Sequence, residues 1–353
     1  MRNDRELLKN VEEIKTGRVK RGLEGLVGGL RALVISVEKE NLRDAVYEMS
    51  DMTSYFVSEH YKNNEGEYYI LKLKDSADII IKASFESENK YLLYNDNPKS
   101  SKLINTRVEQ FIFDVSDIEK YYEIQRSYGL NFDGAIENKG NYKILSSKID
   151  ESLGVSYAFV EFEGALRYSS KDDIDMEIDI PISNRTYLKN VIKLDHTASR
   201  VKAKDRDKAI LKFMDYTEYN FEFSIYVRNL NSITNVARLK KGEFAMVFTS
   251  GIEEYKEGES GPTEKFIHNY GTRVHHMAFQ TENIDTFFES LKKDGVEFLV
   301  DLVGSEEEGL KQTFTIQSPY TMIVNEYIHR YGDFSGFFTK SNVEMLTRST
   351  EKQ

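Results

Sequence analysis

"VHHMAFQTENIDTF" (274–287) reads as an apolar strand, a polar turn, and then an isoleucine and an aromatic residue that open an amphipathic helix. "VEQFIFDVSDIEKY" (108–121) repeats that order of residue types, and so do "LRALVISVEKENLRDAV" (30–46) and "NVIKLDHTASRVKAKDRDKAILKFM" (190–214). Strand-like runs follow each opening: "EYYILKLKDSADIIIKASFE", then "NYKILSSKI" with "VSYAFVEFE", then "FEFSIYVRN" with "EFAMVFTS", and last "LKQTFTIQS" with "TMIVNEYIHRY". Self-similarity of this kind marks a repeat architecture. A strand, a helix and several strands, written four times, predict an α+β protein of repeated βαβββ modules set in pairs.

Composition narrows the chemistry. At 353 residues the chain is long enough for two domains and a large core. Its 48 basic and 59 acidic residues give a net charge of −11, with both signs interspersed. Phosphate binding needs clustered Lys and Arg, so nucleic acid is not an expected partner. Cysteine is absent, which excludes disulfides, iron–sulfur clusters and thiol nucleophiles and leaves His, Asp and Glu as metal ligands. The opening "MRNDRELLKN" is too charged for a signal peptide, and the longest apolar stretch, "LEGLVGGLRALVISV" (23–37), falls short of a bilayer span. A cytoplasmic protein with no membrane partner is expected. The charged, turn-prone "RYSSKDDIDMEIDIPISNRTY" (167–187) separates two similar halves. The expected organisation is therefore a helical prefix (1–28), a paired-module domain (29–170), a linker (171–187) and a second paired-module domain (188–353).

Alternation assigns faces, because successive side chains of a strand point to opposite sides. In "VIKLDHTA" one face carries Ile192, Leu194, His196 and Ala198, and the other Val191, Lys193, Asp195 and Thr197. In "RVHHMAFQ" periodicity leaves His275 and His276 open, but the repeat aligns "HTA" at 196 with "HMA" at 276 and selects His276. The face Met322, Val324, Glu326 and Ile328 is apolar except for one carboxylate, and a lone buried charge costs several kcal/mol unless compensated. Two inward imidazoles and an inward carboxylate can be compensated together by a divalent metal, and two His with one carboxylate is the ligand set of non-haem Fe(II) oxygenases. The competing reading is a hydrogen-bonded core His at each position and a Glu paired with a nearby Arg.

The C-terminal third resembles the 4-hydroxyphenylpyruvate dioxygenase family of the vicinal oxygen chelate superfamily. The resemblance rests on "VHHMAFQTENIDTFFESLKKDGVEFL", "LKQTFT" and "NEYIHRYGDFSGFFTKSNVEML", with "LDHTASRV" and "NLNS" (229–232) upstream. It covers about 190–351; before that, only the module order supports it. It implies two open, cup-shaped β-barrel domains with helices outside, and Fe(II) held by His196, His276 and Glu326. It implies a 2-oxo acid and dioxygen as the small-molecule partners, and self-association into a homo-oligomer. The carried-over catalytic positions are Gln312, Asn342 and Ser232. Ser250, Phe314, Phe338 and Val343 are the substrate-binding positions, with Asn342 on a C-terminal lid helix. Ser250 stands where the family has a substrate-contacting Asn, Pro262 where it has a Gln, and Val343 where it has a second aromatic. These departures alter the ring pocket and bring in related readings: a 4-hydroxymandelate synthase type, an aliphatic 2-oxo acid oxygenase, a non-redox metalloenzyme or a metal-free binding protein. Gln110, and approximately Val34, stand where a metal-binding His would be in the first half, which is therefore expected to lack a metal.

"GLVGGL" and "GESGPTE" lack the Lys-Ser/Thr of a phosphate loop and are read as turns. "KAKDRDK" is expected as a solvated helix start, His329 on the face opposite Glu326, and His60 and His268 at the surface.

Overall fold

Four copies of one unit build the chain. The computed structural model describes residues 4–85, 89–164, 166–332, 334 and 336–353; positions 1–3 of the prefix and 333 and 335 of the tail lie outside the described residues. The first unit comprises β1 (Val27–Ser36), α2 (Leu42–Met52), β2 (Phe56–Lys62), β3 (Gly66–Lys72) and β4 (Asp78–Ser84), and is preceded by α1 (Arg5–Arg21). After the short α3 (Leu92–Asn95) the second comprises β5 (Arg107–Val115), α4 (Ile118–Ser127), β6 (Glu137–Asn138), β7 (Tyr142–Ser146) and β8 (Ser156–Phe162), and is followed by β9 (Ile174–Asp175). The third is β10 (Val191–Arg200), α5 (Arg206–Tyr216), β11 (Asn220–Val227), β12 (Ser232–Arg238) and β13 (Ala245–Gly251). After α6 (Pro262–Tyr270) the fourth is β14 (Arg273–Thr281), α7 (Ile284–Lys293), β15 (Phe298–Ser305), β16 (Leu310–Gln317) and β17 (Val324–Arg330), and α8 (Lys340–Ser349) follows.

The strands form two mixed sheets, in the orders β6-β7-β8-β5-β1-β4-β3-β2-β9 and β11-β12-β13-β10-β14-β17-β16-β15. Within each unit the first strand runs parallel to the last. The antiparallel pairs β1–β5 and β10–β14 join the units. This is the expected α+β architecture, with the helices outside the sheets.

One face of each sheet feeds a common apolar core with the helices. Phe111 and Phe113 of β5, Tyr121 of α4, Phe213 of α5, and Met277 and Phe279 of β14 all belong to it. Phe113 packs against both Phe213 and Tyr219, so the two halves share this core. The other faces carry smaller clusters: Ala32, Val34, Ile112 and Ala158 in the first sheet, and Ala198, Val236, Ala245, Val247 and Phe337 in the second.

Within the prefix, α1 buries Leu7, Val11 and Ile14 before Gly22 ends it in the left-handed conformation (φ 73°), and β1 begins at Val27. Its anchor corrects the reading of "KAKDRDK" as solvated, because Arg206 in that run is fully buried. The Arg206 guanidinium donates to Asp4 Oδ1 (2.7 Å), Ser224 Oγ (2.8 Å) and Asn235 Oδ1 (2.8 Å). Arg206→Met removes these charge-assisted bonds and is expected to cost about 3 kcal/mol. The check is a lower urea midpoint at unchanged slope.

Two β-bulges recur at matching places in the two halves. The β1–β5 ladder skips Arg31 and Glu109, and the β10–β14 ladder skips Asp195 and His275. A bulge interrupts strict alternation. Leu194 accordingly joins the helix-side core, and His196 does not share its face as the alternation predicted. Asp195, assigned to the opposite face, is buried and bonded to His196 instead.

Candidate metal centre

His196 sits on β10, His276 on β14 and Glu326 on β17, three neighbouring strands. His196 pairs in register with Ala278, and Ala278 with Glu326; one step along, Ala198 pairs with His276. This register brings the three side chains to one spot. One ligand atom from each lies within 4.8 Å of the others, and all three residues are buried. Both Nε2 atoms stand 3.2 Å from the same Glu326 oxygen. Donor atoms ~2.1 Å from a common centre at right angles would stand ~3 Å apart. Among the described residues His196 Nε2 is buried with no hydrogen bond beyond this 3.2 Å approach to Glu326, so the donor set and its spacing fit a divalent ion.

Each ligand is held from behind. His196 Nδ1 lies 2.8 Å from Asp195 Oδ1, and Asp195 takes a two-pronged ion pair from Arg330 at 2.6 and 3.0 Å. Gln312 donates through Nε2 to Glu326, and Asn342 Nδ2 donates to Gln312 Oε1 at 3.0 Å. His276 Nδ1 meets His275 Nδ1 at 2.8 Å, and His275 Nε2 meets Gln353 Oε1 at 2.8 Å. A carboxylate behind a histidine and an amide behind a carboxylate fix ring orientation and ligand direction at metal sites.

The electrostatics follow from burial and the carboxylates. For His196, burial opposes protonation, but the charge of Glu326 and the bond to Asp195 override it and raise its pKa to about 9. Burial pushes His276 well below its usual range, assisted by His275, His196 and Arg200. Burial would raise Asp195, but Arg330 and His196 together outweigh it and hold the carboxylate below its usual range.

Arg200, Thr234, Val247, Thr249, His276, Gln312, Phe314, Glu326 and Phe338, with Val343, Leu346 and Thr347 of α8, line a cavity of about 40 Å³. A larger cavity of about 560 Å³ lies against the first sheet, walled by Tyr61, Tyr68 and Tyr142 among others. Size favours the larger one, but among the described residues the metal-ligating cluster stands only in the second sheet, so chemistry selects the smaller.

The carried-over positions separate into groups. Gln312, Phe314, Phe338 and Val343 line the small cavity. Phe338 packs 5.2 Å from the His196 ring and Phe314 4.8 Å from His276. Asn342 lies behind Gln312, while its backbone N–H donates to the capping hydroxyl of Thr339. Ser232 and Ser250 are buried outside the lining, Ser232 against Thr263 and Ser250 donating to the Gly251 carbonyl. Pro262 opens α6.

His329 turns to the Thr281 carbonyl. His268 is exposed, but His60 is not at the surface as predicted: it is buried against Tyr69, with Nε2 2.9 Å from Glu67. In the first sheet Ala32 takes the register place of His196, Gln110 that of His276 and Ala158 that of Glu326. Val34, suggested for a histidine place, pairs with Gln110 and so falls at that of Ala198.

Three positions around the cluster escaped the sequence reading. Asp195 was hidden by the bulge, although the adjacent pair Asp195-His196 was a readable signal. Arg330 and Arg200 are arginines in strands beside the cluster; what sets them apart from surface cations is the ion pair to buried Asp195 for the one and burial for the other.

No family model matches the chain, and no curated protein matches it. Among solved structures it is similar to a triple mutant of 4-hydroxymandelate synthase from Streptomyces coelicolor, at 13% identity, over 93% of this chain and 99% of that one, with a TM-score of 0.69. A xylose isomerase-like TIM barrel/4-hydroxyphenylpyruvate dioxygenase fusion protein matches at 13% identity over 96% of this chain and 57% of that one, with a TM-score of 0.63. The Mn(II)-bound glyoxalase from Novosphingobium aromaticivorans matches at 10% identity over 87% of this chain and 83% of that one, with a TM-score of 0.50. Identities this low speak to architecture alone, and by architecture the chain shares the fold of these proteins, similar in build to 4-hydroxymandelate synthase over nearly the whole length of both.

Proposed function

We propose that the protein is an Fe(II)-dependent dioxygenase of a 2-oxo acid, with His196, His276 and Glu326 as the metal ligands. The observation that carries this reading is the convergence of two imidazoles and one carboxylate, buried and within 4.8 Å, on the sheet face away from the common core. Bound there, the metal would supply a centre at which a chelating 2-oxo acid meets dioxygen. Carbon dioxide would leave; one oxygen atom would enter the new carboxylate and the other the remainder of the substrate.

The chain's own residues do the rest. Asp195 and Arg330 hold the His196 ring, and Gln312 with Asn342 aims the Glu326 carboxylate. Phe314, Phe337 and Phe338 pack around the two imidazoles and keep water out. No side chain is assigned as a general base. Conversion of 4-hydroxyphenylpyruvate to homogentisate and the hydroxymandelate-forming variant are the reference reactions. The division into prefix, first domain, linker and second domain at 28, 170 and 187 is part of the same proposal; the second sheet begins after the linker at Val191, while β9 (Ile174–Asp175) inside the linker adds an edge strand to the first sheet. Among the described residues no helix is long and apolar enough to cross a membrane.

The test is dioxygen uptake by anaerobically purified, Fe(II)-loaded protein across a panel of 2-oxo acids. Uptake with at least one acid, matched by carbon dioxide release, is the expected result. Stoichiometric metal without uptake for any acid would turn the reading to non-redox chemistry at the same ligands.

A further inference from the structure

Among the described residues Arg200 is a buried cation with no carboxylate in ion-pair contact. It is 3% exposed and lines the metal cavity together with His276, Gln312 and Glu326. Its guanidinium donates to Thr263 Oγ1 at 2.8 Å and Thr350 Oγ1 at 3.4 Å, both neutral acceptors, and lies 5.8 Å over the Phe266 ring, while among the described residues Nε makes no hydrogen bond. Glu264 attracts it at a distance but spends one carboxylate oxygen on the backbone N–H groups of Ala203 and Gly251. Burial lowers the Arg200 pKa only to about 10, so the group stays charged at neutral pH. A buried charge left uncompensated costs several kcal/mol, and guanidinium is the side chain best shaped to grip a carboxylate.

The register shows where such a carboxylate would come from. His196 lies beside Ala245. Next along the same face come Ala198, Val247 and Val236 side by side, and after them Arg200, Thr249 and Thr234. Alternate residues of a strand are ~6.6 Å apart. The face thus reads as metal ligands, one apolar row, and then a cation flanked by two hydroxyl-bearing residues.

Resting on the proposed 2-oxo acid chemistry, we infer that the substrate is a 2-oxo diacid: its 2-oxo carboxylate end at the metal ligands, a short carbon spacer over Ala198, Val247 and Val236, and a second carboxylate on Arg200. This class differs from 4-hydroxyphenylpyruvate, whose far end is a neutral phenol.

The experiment compares 2-oxo diacids of four to six carbons and 4-carboxyphenylpyruvate with neutral-tailed 2-oxo acids of matched length and with 4-hydroxyphenylpyruvate. It uses full-length protein loaded with Fe(II) for dioxygen uptake and with Mn(II) for anaerobic binding, with metal content measured on every sample. A charge-assisted contact predicts that one diacid is preferred about 10- to 100-fold in kcat/KM and in affinity. Arg200→Met should erase that preference at unchanged metal content, and Arg200→Lys should restore part of it. Equal use of diacid and neutral acid by the unaltered protein, or a preference that survives Arg200→Met, would overturn the inference and leave the metal reading standing. Absence of bound metal in the unaltered protein would overturn both. If Arg200→Met fails to fold, the tail comparison in the unaltered protein decides alone.

Discussion

Glu326→Ala should leave the protein folded and unable to hold a metal. One Glu326 oxygen lies 3.2 Å from both imidazole nitrogens, so it is the atom that closes the ligand set. Outer-shell changes typically weaken metal affinity 10–100-fold, and loss of a ligand should exceed that. Metal per chain after dialysis should fall from about one to background, and dioxygen uptake should vanish with it. Circular dichroism separates loss of metal from loss of fold. Metal content unchanged in this variant would refute the ligand assignment.

The second large effect is expected at the Asp195–Arg330 pair. Arg330→Met leaves Asp195 buried beside His196 without its counter-ion; breaking a fully buried pair from one side costs about 3–5 kcal/mol, and because the Arg330 side chain is 21% exposed the lower end of that range is expected. Stability should drop by that order, and metal affinity by about 10–100-fold because His196 loses its fixed ring orientation. The sign of the pH dependence follows from Arg330 holding Asp195 below its ordinary range. The stabilisation from a depressed carboxylate is fully present above the unfolded value near 3.9 and is lost as pH falls through the folded value. Urea titrations between about pH 3 and 7 should therefore show the unaltered protein losing stability on acidification, with a smaller Asp195 contribution in Arg330→Met. Equal midpoints for the two proteins at pH 7 would contradict the role given to this pair.

The module order was legible because each unit opens with the same change from period 2 to period 3.6, and its copies reinforce one another. The pairing of His196 with His276 came from that repetition, since local alternation left His275 and His276 open. Alternation broke down at Asp195, where an extra residue in β10 lets consecutive side chains share the interior. Nothing in a string of letters announces such a bulge; it is paid for across the strand, by the partner's hydrogen bonds. Arg206 and His60 misled for a different reason. Both are polar residues in charged surroundings, and only long-range partners, Asp4 and Asn235 for the one and Glu67 for the other, explain their burial. The pocket positions were placed by resemblance, and the register shows Thr249 rather than Ser250 on the cavity side of β13.

The chain also carries an unused copy of its own site. The row Ala32–Ile112–Ala158 in the first sheet reproduces His196–Ala278–Glu326 in the second, with Gln110 at the place of His276 and bulges at the same two positions. The backbone for a second centre therefore already exists, facing the larger cavity, and what it lacks is three side chains. For protein engineering the first sheet is a blank die, cut to the same gauge as the stamped one beside it.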